Sequence, residues 1–219
     1  HARSARTDLT RRPADASTVY RVGSVSKLFT DIGVMQLVER GEVELDAPVS
    51  RYVPDFTPKN SSGKAITLRQ LMSHYSGLVR EPPAGHYFDD RGTTLAATVA
   101  SLNATSIVYP PETKRKYSNA GIAVVGYVLE RRSGEPFAAY LKRSVLQPLG
   151  LTSSAFEPEP ALVRRLAHGE MWTLHDRSFD APNFQLGMSP AGSMYSTMPD
   201  LARFMSVLFA GGRGPGGAV

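Results

Sequence analysis

The sequence predicts a fold dominated by helices, with extended chain confined to short runs. Three observations carry this. Thr18-Val19-Tyr20-Arg21-Val22 reads as a short extended run, and Gly23 then permits a tight turn. From Val25 onward the apolar period changes, with Leu28, Ile32, Met35 and Val38 recurring on one helical face. Helical patterns then return at about 67–74, 94–102, 120–132, 136–146 and 199–210.

The first helix, 25–40, stops at Gly41 after Glu39-Arg40 and is expected to be largely buried. A Pro-rich stretch follows through Val49-Ser-Arg-Tyr-Val-Pro54, and the helix at 67–74 is closed by Gly77. Arg80 to Asp90 reads as a long ordered loop. Its His86, Tyr87 and Phe88 either line a cleft or anchor the loop. Tyr109-Pro110-Pro111 must be loop, and the helix beyond it carries Ile122, Val125, Val128 and Leu129 on one face before stopping near Ser133-Gly134. Irregular chain is expected from the end of the 136–146 helix to Ser189, and no internal repeat is visible.

The 219 residues, 42% of them hydrophobic, suffice for one sizeable core. No run of about 18 apolar residues occurs, so no membrane span is expected. The absence of cysteine excludes disulfides, thiol catalysis and a cysteine-ligated metal. It is compatible with a periplasmic or secreted setting without establishing one, and any signal peptide lies before His1. The net charge of +5 and pI near 9.6 are spread over scattered residues, with no basic run interleaved with aromatics, which argues against nucleic acid as a partner. One basic cluster, Lys114-Arg115-Lys116, abuts Tyr117. It reads either as a solvated loop or as a device that favours an ionised phenol and attracts carboxylate-bearing substrates.

Chemistry concentrates at Ser24-Val25-Ser26-Lys27 and at Tyr117-Ser118-Asn119. A Ser-x-x-Lys occurs about once by chance in a chain of ordinary composition, so context decides. Ser24 falls at a helix start, with Lys27 three residues on along the same face. Unpaired N–H groups there and burial both favour a neutral amine, which suits Lys27 to accept a proton. The plainer alternative makes Ser24 an N-cap and Lys27 a solvated lysine. Tyr117 and Asn119 lie where a loop enters a helix and can point into a cleft. A phenol there exchanges protons with Ser24, and an amide holds Lys27 or a substrate carbonyl. The plainer alternative is that Asn119 merely caps the helix.

Ser24-x-x-Lys27 with Tyr117-x-Asn119, 93 positions after Ser24, resembles the serine β-lactamase and penicillin-binding-protein superfamily. The Tyr-x-Asn form is similar to the branch related to class C β-lactamases, which also holds D-amino-acid peptidases and carboxylesterases. Further matching blocks are Arg21–Thr30, Gln36–Gly41, Leu45–Val49, Thr67–Leu78, Pro148–Ser153 and Ala191–Phe204. The resemblance implies an α+β, β-lactamase/transpeptidase-like fold, an antiparallel sheet flanked by helices plus a helical region. It implies Ser24 as acylated nucleophile, Lys27 and Tyr117 as proton handlers and Asn119 as substrate-binding residue. The Ser24 backbone N–H would form half of an oxyanion hole.

Two departures from the family pattern stand out. Glu112 follows Pro111 where relatives more often have Gly, and the family's third motif, Lys or His followed by x-Gly, has no match; His168-Gly169 lies in the wrong context. The expectation is therefore a single β-lactamase-like domain over 1–219, with its helical region at about 60–190, that lacks strands at both ends. Such a chain would expose the face of helix 25–40 that packs on the sheet in relatives.

Three competing motifs fail. Gly187-Met-Ser189-Pro190 approaches a nucleophile elbow, but Pro190 has no N–H to donate to an oxyanion. Gly212-x-Gly214-x-x-Gly217 follows a helix pattern instead of a strand, so a dinucleotide site is not expected. His74, His86, His168 and His175 show no metal-ligand spacing with carboxylates, so neither metal nor cofactor is expected. The functional expectation is a serine hydrolase that forms an acyl-enzyme on an amide or ester, whether a β-lactam, a D-amino-acid peptide or a carboxylic ester. The alternative is a catalytically silent module binding peptidoglycan-type ligands or a protein partner. The expected partner is a small-molecule or peptide substrate, with oligomeric state and location open.

Overall fold

The computed structural model describes residues 13–89, 91–173, 177–183, 185–214 and 217–218. His175 and the middle of the Gly212–Gly217 pattern lie outside the described residues. In chain order come β1 (Tyr20–Arg21), a 3-10 turn (Gly23–Val25), α1 (Ser26–Glu39), a second 3-10 turn (Val49–Arg51), α2 (Leu68–Met72), α3 (Leu95–Ser101), a third 3-10 turn (Leu102–Ala104), α4 (Asn119–Ser133) and α5 (Phe137–Leu141). They are followed by α6 (Pro160–Val163), β2 (Glu170–Trp172), β3 (Ser178–Asp180), α7 (Ser189–Gly192), β4 (Tyr195–Ser196), α8 (Met198–Phe209), β5 (Arg213–Gly214) and β6 (Gly217–Ala218). The strands form small antiparallel pairs, β1 with β4, β2 with β3 and β5 with β6. Helices dominate an α+β chain.

Local chemistry sets the helix starts. Thr67 and Gln70 form a capping box at α2, while Thr94, Ser118 and Thr197 accept backbone N–H groups at the starts of α3, α4 and α8. The cap of α4 is Ser118, so the reading of Asn119 as a cap is corrected. Asn119 is the first residue inside the helix. The stretch expected as irregular holds α6, β2 and β3 and ends where α7 begins, each element too short for periodicity to reveal.

The core gathers around α4, which is buried on almost every side: Ala120, Ala123, Val124, Val125, Val128 and Leu129 have no exposed surface. A helix apolar all round must be central, and α1, α2, α3, α5 and α7 pack against it. Each fully buried Val or Leu there contributes about 2 kcal/mol. Gly126 lets α7 approach closely, since a Cβ at that position would lie 2.1 Å from Pro190 Cγ. The α7–β4 segment thereby comes to rest against the start of α1.

On α1 the buried residues are Ser26, Lys27, Phe29, Thr30, Gly33, Val34 and Leu37. The face picked out by periodicity is only partly covered: Leu28 is 52% and Met35 43% exposed. The expectation of a largely buried helix is corrected on that face, and the expected exposure is present there. Met205, Leu208 and Phe209 of α8 are exposed as well. A groove of about 540 Å³ runs between Leu28, Ile32 and Met35 on one side and Phe204 and Leu208 on the other. Glu112, the departure noted from the family pattern, sits at φ 68°. That left-handed conformation is one a glycine adopts without strain.

Candidate active site

Ser24 lies in the 3-10 turn that Gly23, at φ 53°, makes possible after β1. No side chain caps that turn or α1, so Ser24 is not an N-cap. The turn is pinned from beneath. Ser26 Oγ donates to the Gly23 carbonyl at 2.6 Å and accepts from Met194 N–H at 3.0 Å. Thr30 Oγ1 donates to the Pro190 carbonyl at 2.8 Å. Ser24 is left exposed on top.

Lys27 is buried, at 7% exposure. Its Nζ donates to the Ala191 carbonyl at 2.6 Å and to Ser24 Oγ at 3.1 Å. The solvated-lysine reading is thereby corrected. The Tyr117 hydroxyl donates to Ser24 Oγ at 2.7 Å. Two side chains from distant segments thus converge on the Ser24 oxygen.

Cations surround the Tyr117 ring. Lys27 Nζ lies 4.9 Å and the Arg80 guanidinium carbon 5.1 Å from its centroid, and the His74 ring packs on it at 4.4 Å. Burial, then the charges of Lys27 and Arg115, push His74 down to about 4, so its imidazole is neutral at neutral pH. Its Nδ1 accepts from Ser118 N–H at 3.3 Å. The cations over the phenol ring are Lys27 and Arg80, while Lys114 of the Lys114–Lys116 run lies over Tyr109.

Asn119 stands apart from this convergence. Its Nδ2 donates to Glu81 Oε1 at 2.8 Å, and its Oδ1 is buried with no hydrogen-bond partner among the described residues. Because a carboxylate only accepts, Glu81 fixes which way the amide points. The backbone reinforces the dock: Asn119 N–H and Ala120 N–H both donate to the Arg80 carbonyl, at 2.8 and 3.1 Å.

Sequence reasoning missed Arg80, Glu81 and the Ala191 carbonyl, and weighed His74 only as a metal ligand. His74 had one available signal, its place between Leu71 and Leu78 in a matching block. Arg80 and Glu81 had none, because their role depends on the loop docking onto α4. His168 ion-pairs with Asp180 at 2.9 Å on the β2–β3 hairpin, away from the site. A cavity of about 660 Å³ bordered by Arg21, Phe137, Glu157, Ser193 and Tyr195 is lined by none of the four candidate residues.

The beta-lactamase family model matches residues 4–218. The chain belongs to the beta-lactamase family. Among relatives, it is 32% identical to Beta-lactamase-like protein 2 of Dictyostelium discoideum, over 88% of this chain and 36% of that protein. It is 30% identical to Esterase EstB of Burkholderia gladioli, over 91% of this chain and 59% of that protein. Among solved structures it is similar to EstCE1, a hydrolase with promiscuous acyltransferase activity. That match has a TM-score of 0.75 and 26% identity, and covers 91% of this chain and 61% of the other. The fold is therefore the β-lactamase/transpeptidase fold, and hydrolase activity belongs to the beta-lactamase family at large. The chain spans between about a third and three fifths of the length of these proteins.

Proposed function

We propose that this beta-lactamase-family chain acts as a serine hydrolase through a covalent acyl-enzyme on Ser24. The observation that supports this most directly is the pair of hydrogen bonds on Ser24 Oγ, from Tyr117 at 2.7 Å and Lys27 at 3.1 Å. Two proton-transfer groups on one exposed hydroxyl are what nucleophilic catalysis by serine requires. Ser24 Oγ attacks the acyl carbon of an amide or ester while its proton passes to Tyr117 Oη or Lys27 Nζ. The C–N or C–O bond breaks, and the departing amine or alcohol takes that proton. Water then attacks the acyl-serine ester, gives its proton to the same base, and releases the acid and free Ser24. Asn119 carries one further Nδ2 hydrogen beyond the one given to Glu81, enough to hold a substrate carbonyl.

Hydrolysis of a p-nitrophenyl ester, a cephalosporin and a D-alanyl peptide by wild type and by Ser24→Ala tests this reading. Loss of about a thousandfold in rate on every accepted substrate is the expected result. Undiminished hydrolysis by Ser24→Ala would contradict it.

A further inference from the structure

The loop between α3 and α4, which carries Tyr117, hangs on the exit of α2 by its backbone amides. Glu112 N–H donates to the Tyr75 carbonyl at 2.9 Å and Lys116 N–H to the His74 carbonyl at 2.8 Å. Ser118 N–H donates to His74 Nδ1 at 3.3 Å. One residue, His74, therefore grips the chain on both sides of Tyr117. Between those two bonds its ring packs on the Tyr117 ring, tilted by 42°.

His74 holds this place against a backbone preference. Its φ of 65° is left-handed, a region that glycine adopts freely and that His, Asn and Asp enter more readily than other side chains. A glycine would relieve the strain and keep the carbonyl bond to Lys116, but it brings no acceptor for Ser118. Ser118 has no exposed surface, so without Nδ1 its amide becomes a buried donor that the chain must shift to satisfy. The imidazole meets this need in one form only. Nδ1 accepts an amide proton, so the ring is neutral and its own proton sits on Nε2.

The grip falls where the chain is otherwise least constrained. Regular structure begins only at Asn119, and Ser118 Oγ is spent on the Val79 carbonyl and the Gly121 N–H. Those bonds fix the start of α4, one residue beyond Tyr117. The Tyr117 hydroxyl stands 2.7 Å from Ser24 Oγ, and proton transfer needs a separation of about 2.6–3.2 Å. A displacement of about 1 Å at such a contact costs up to about a hundredfold in rate.

We propose that His74 is a positioning residue for the Ser24 reaction: its Nδ1 holds the Ser118 amide so that Tyr117 Oη stays within reach of Ser24 Oγ. The proposal rests on the Ser24 reading and assigns His74 an action through Tyr117 alone.

The test follows labelling of Ser24 by a serine-reactive phosphonate, read by intact-protein mass spectrometry as a maximal rate and a half-saturating concentration. His74→Gly suits the left-handed backbone and should lower the maximal rate by about ten- to a hundredfold, with the half-saturating concentration unchanged. His74→Asn also tolerates that backbone, returns an oxygen to Ser118 N–H and should recover most of the loss. In a Tyr117→Phe background, which lacks the hydroxyl, neither substitution should slow labelling further. No loss in His74→Gly, a loss confined to the half-saturating concentration, an equal loss in both backgrounds, or an Asn variant as slow as the Gly variant overturns the proposal. Labelling of Ser24→Ala at the wild-type rate would instead overturn the Ser24 reading itself.

Discussion

Replacing Asp31 by asparagine should remove a pH-dependent weakness in the fold. Asp31 lies one turn beyond Lys27 on α1, at the groove formed with Phe204 and Leu208, and its Oδ1 is buried with no hydrogen-bond partner among the described residues. Burial raises its carboxyl from 3.8 to about 7, and the charge of Lys27 offsets this only in part. The folded chain therefore holds this proton more tightly than the unfolded chain does. Its contribution to stability is complete below the unfolded value and is lost as pH rises through about 7. Fully ionised, such a carboxyl weakens the fold by up to about 4 kcal/mol. More than half of that loss falls between about pH 5 and about pH 9, and solvent screening reduces it to about 2 kcal/mol over that interval. Urea unfolding of wild type and Asp31→Asn at those two pH values isolates the effect, because every other group titrates alike in both proteins. The variant should gain about 2 kcal/mol on wild type between the lower and the higher pH. An identical stability difference at both pH values would refute the reasoning.

His74 works in the opposite direction. Its folded value of about 4 lies below the ordinary 6.5, so its contribution is complete above about 6.5 and is lost as pH falls through about 4. His74→Asn tolerates φ 65° and offers an oxygen to Ser118 N–H; it should reduce the acid destabilisation seen in urea titrations by about 1–2 kcal/mol. Gly126→Ala drives a Cβ into Pro190 and should cost about 1–3 kcal/mol by thermal or urea unfolding.

What the sequence disclosed and what it hid divide along physical lines. Long, strongly periodic helices were legible: α1, α4 and α8 lie within two residues of their expected bounds. So was the placement of Lys27 one helical turn from Ser24, and Tyr117, marked by its place before a helix and by the motif, meets them in space. Of the short elements, β1, α2 and α5 fall inside segments the sequence marked, whereas α6, α7 and β2–β4 were not legible; α7 and β4 are held by partners far away in sequence. The pairing of Arg21 with Tyr195 has no local signature. The surroundings of the site were hidden for the same reason. Asn119 was expected to face Lys27 or a substrate, yet its amide is bonded to Glu81, a residue 38 positions earlier that no motif marks. Periodicity alone suggested a buried Leu28–Met35 face on α1, because it shows which residues share a face and says nothing about what covers it.

The central claim is that Ser24 is the nucleophile. Its most direct test is intact-protein mass spectrometry of wild type, Ser24→Ala and Lys27→Met after exposure to a serine-reactive phosphonate. The account predicts a single adduct on wild type, mapped to Ser24 by peptide sequencing, no adduct on Ser24→Ala, and much slower labelling of Lys27→Met. An adduct on another serine, or equal labelling of Ser24→Ala, would contradict it.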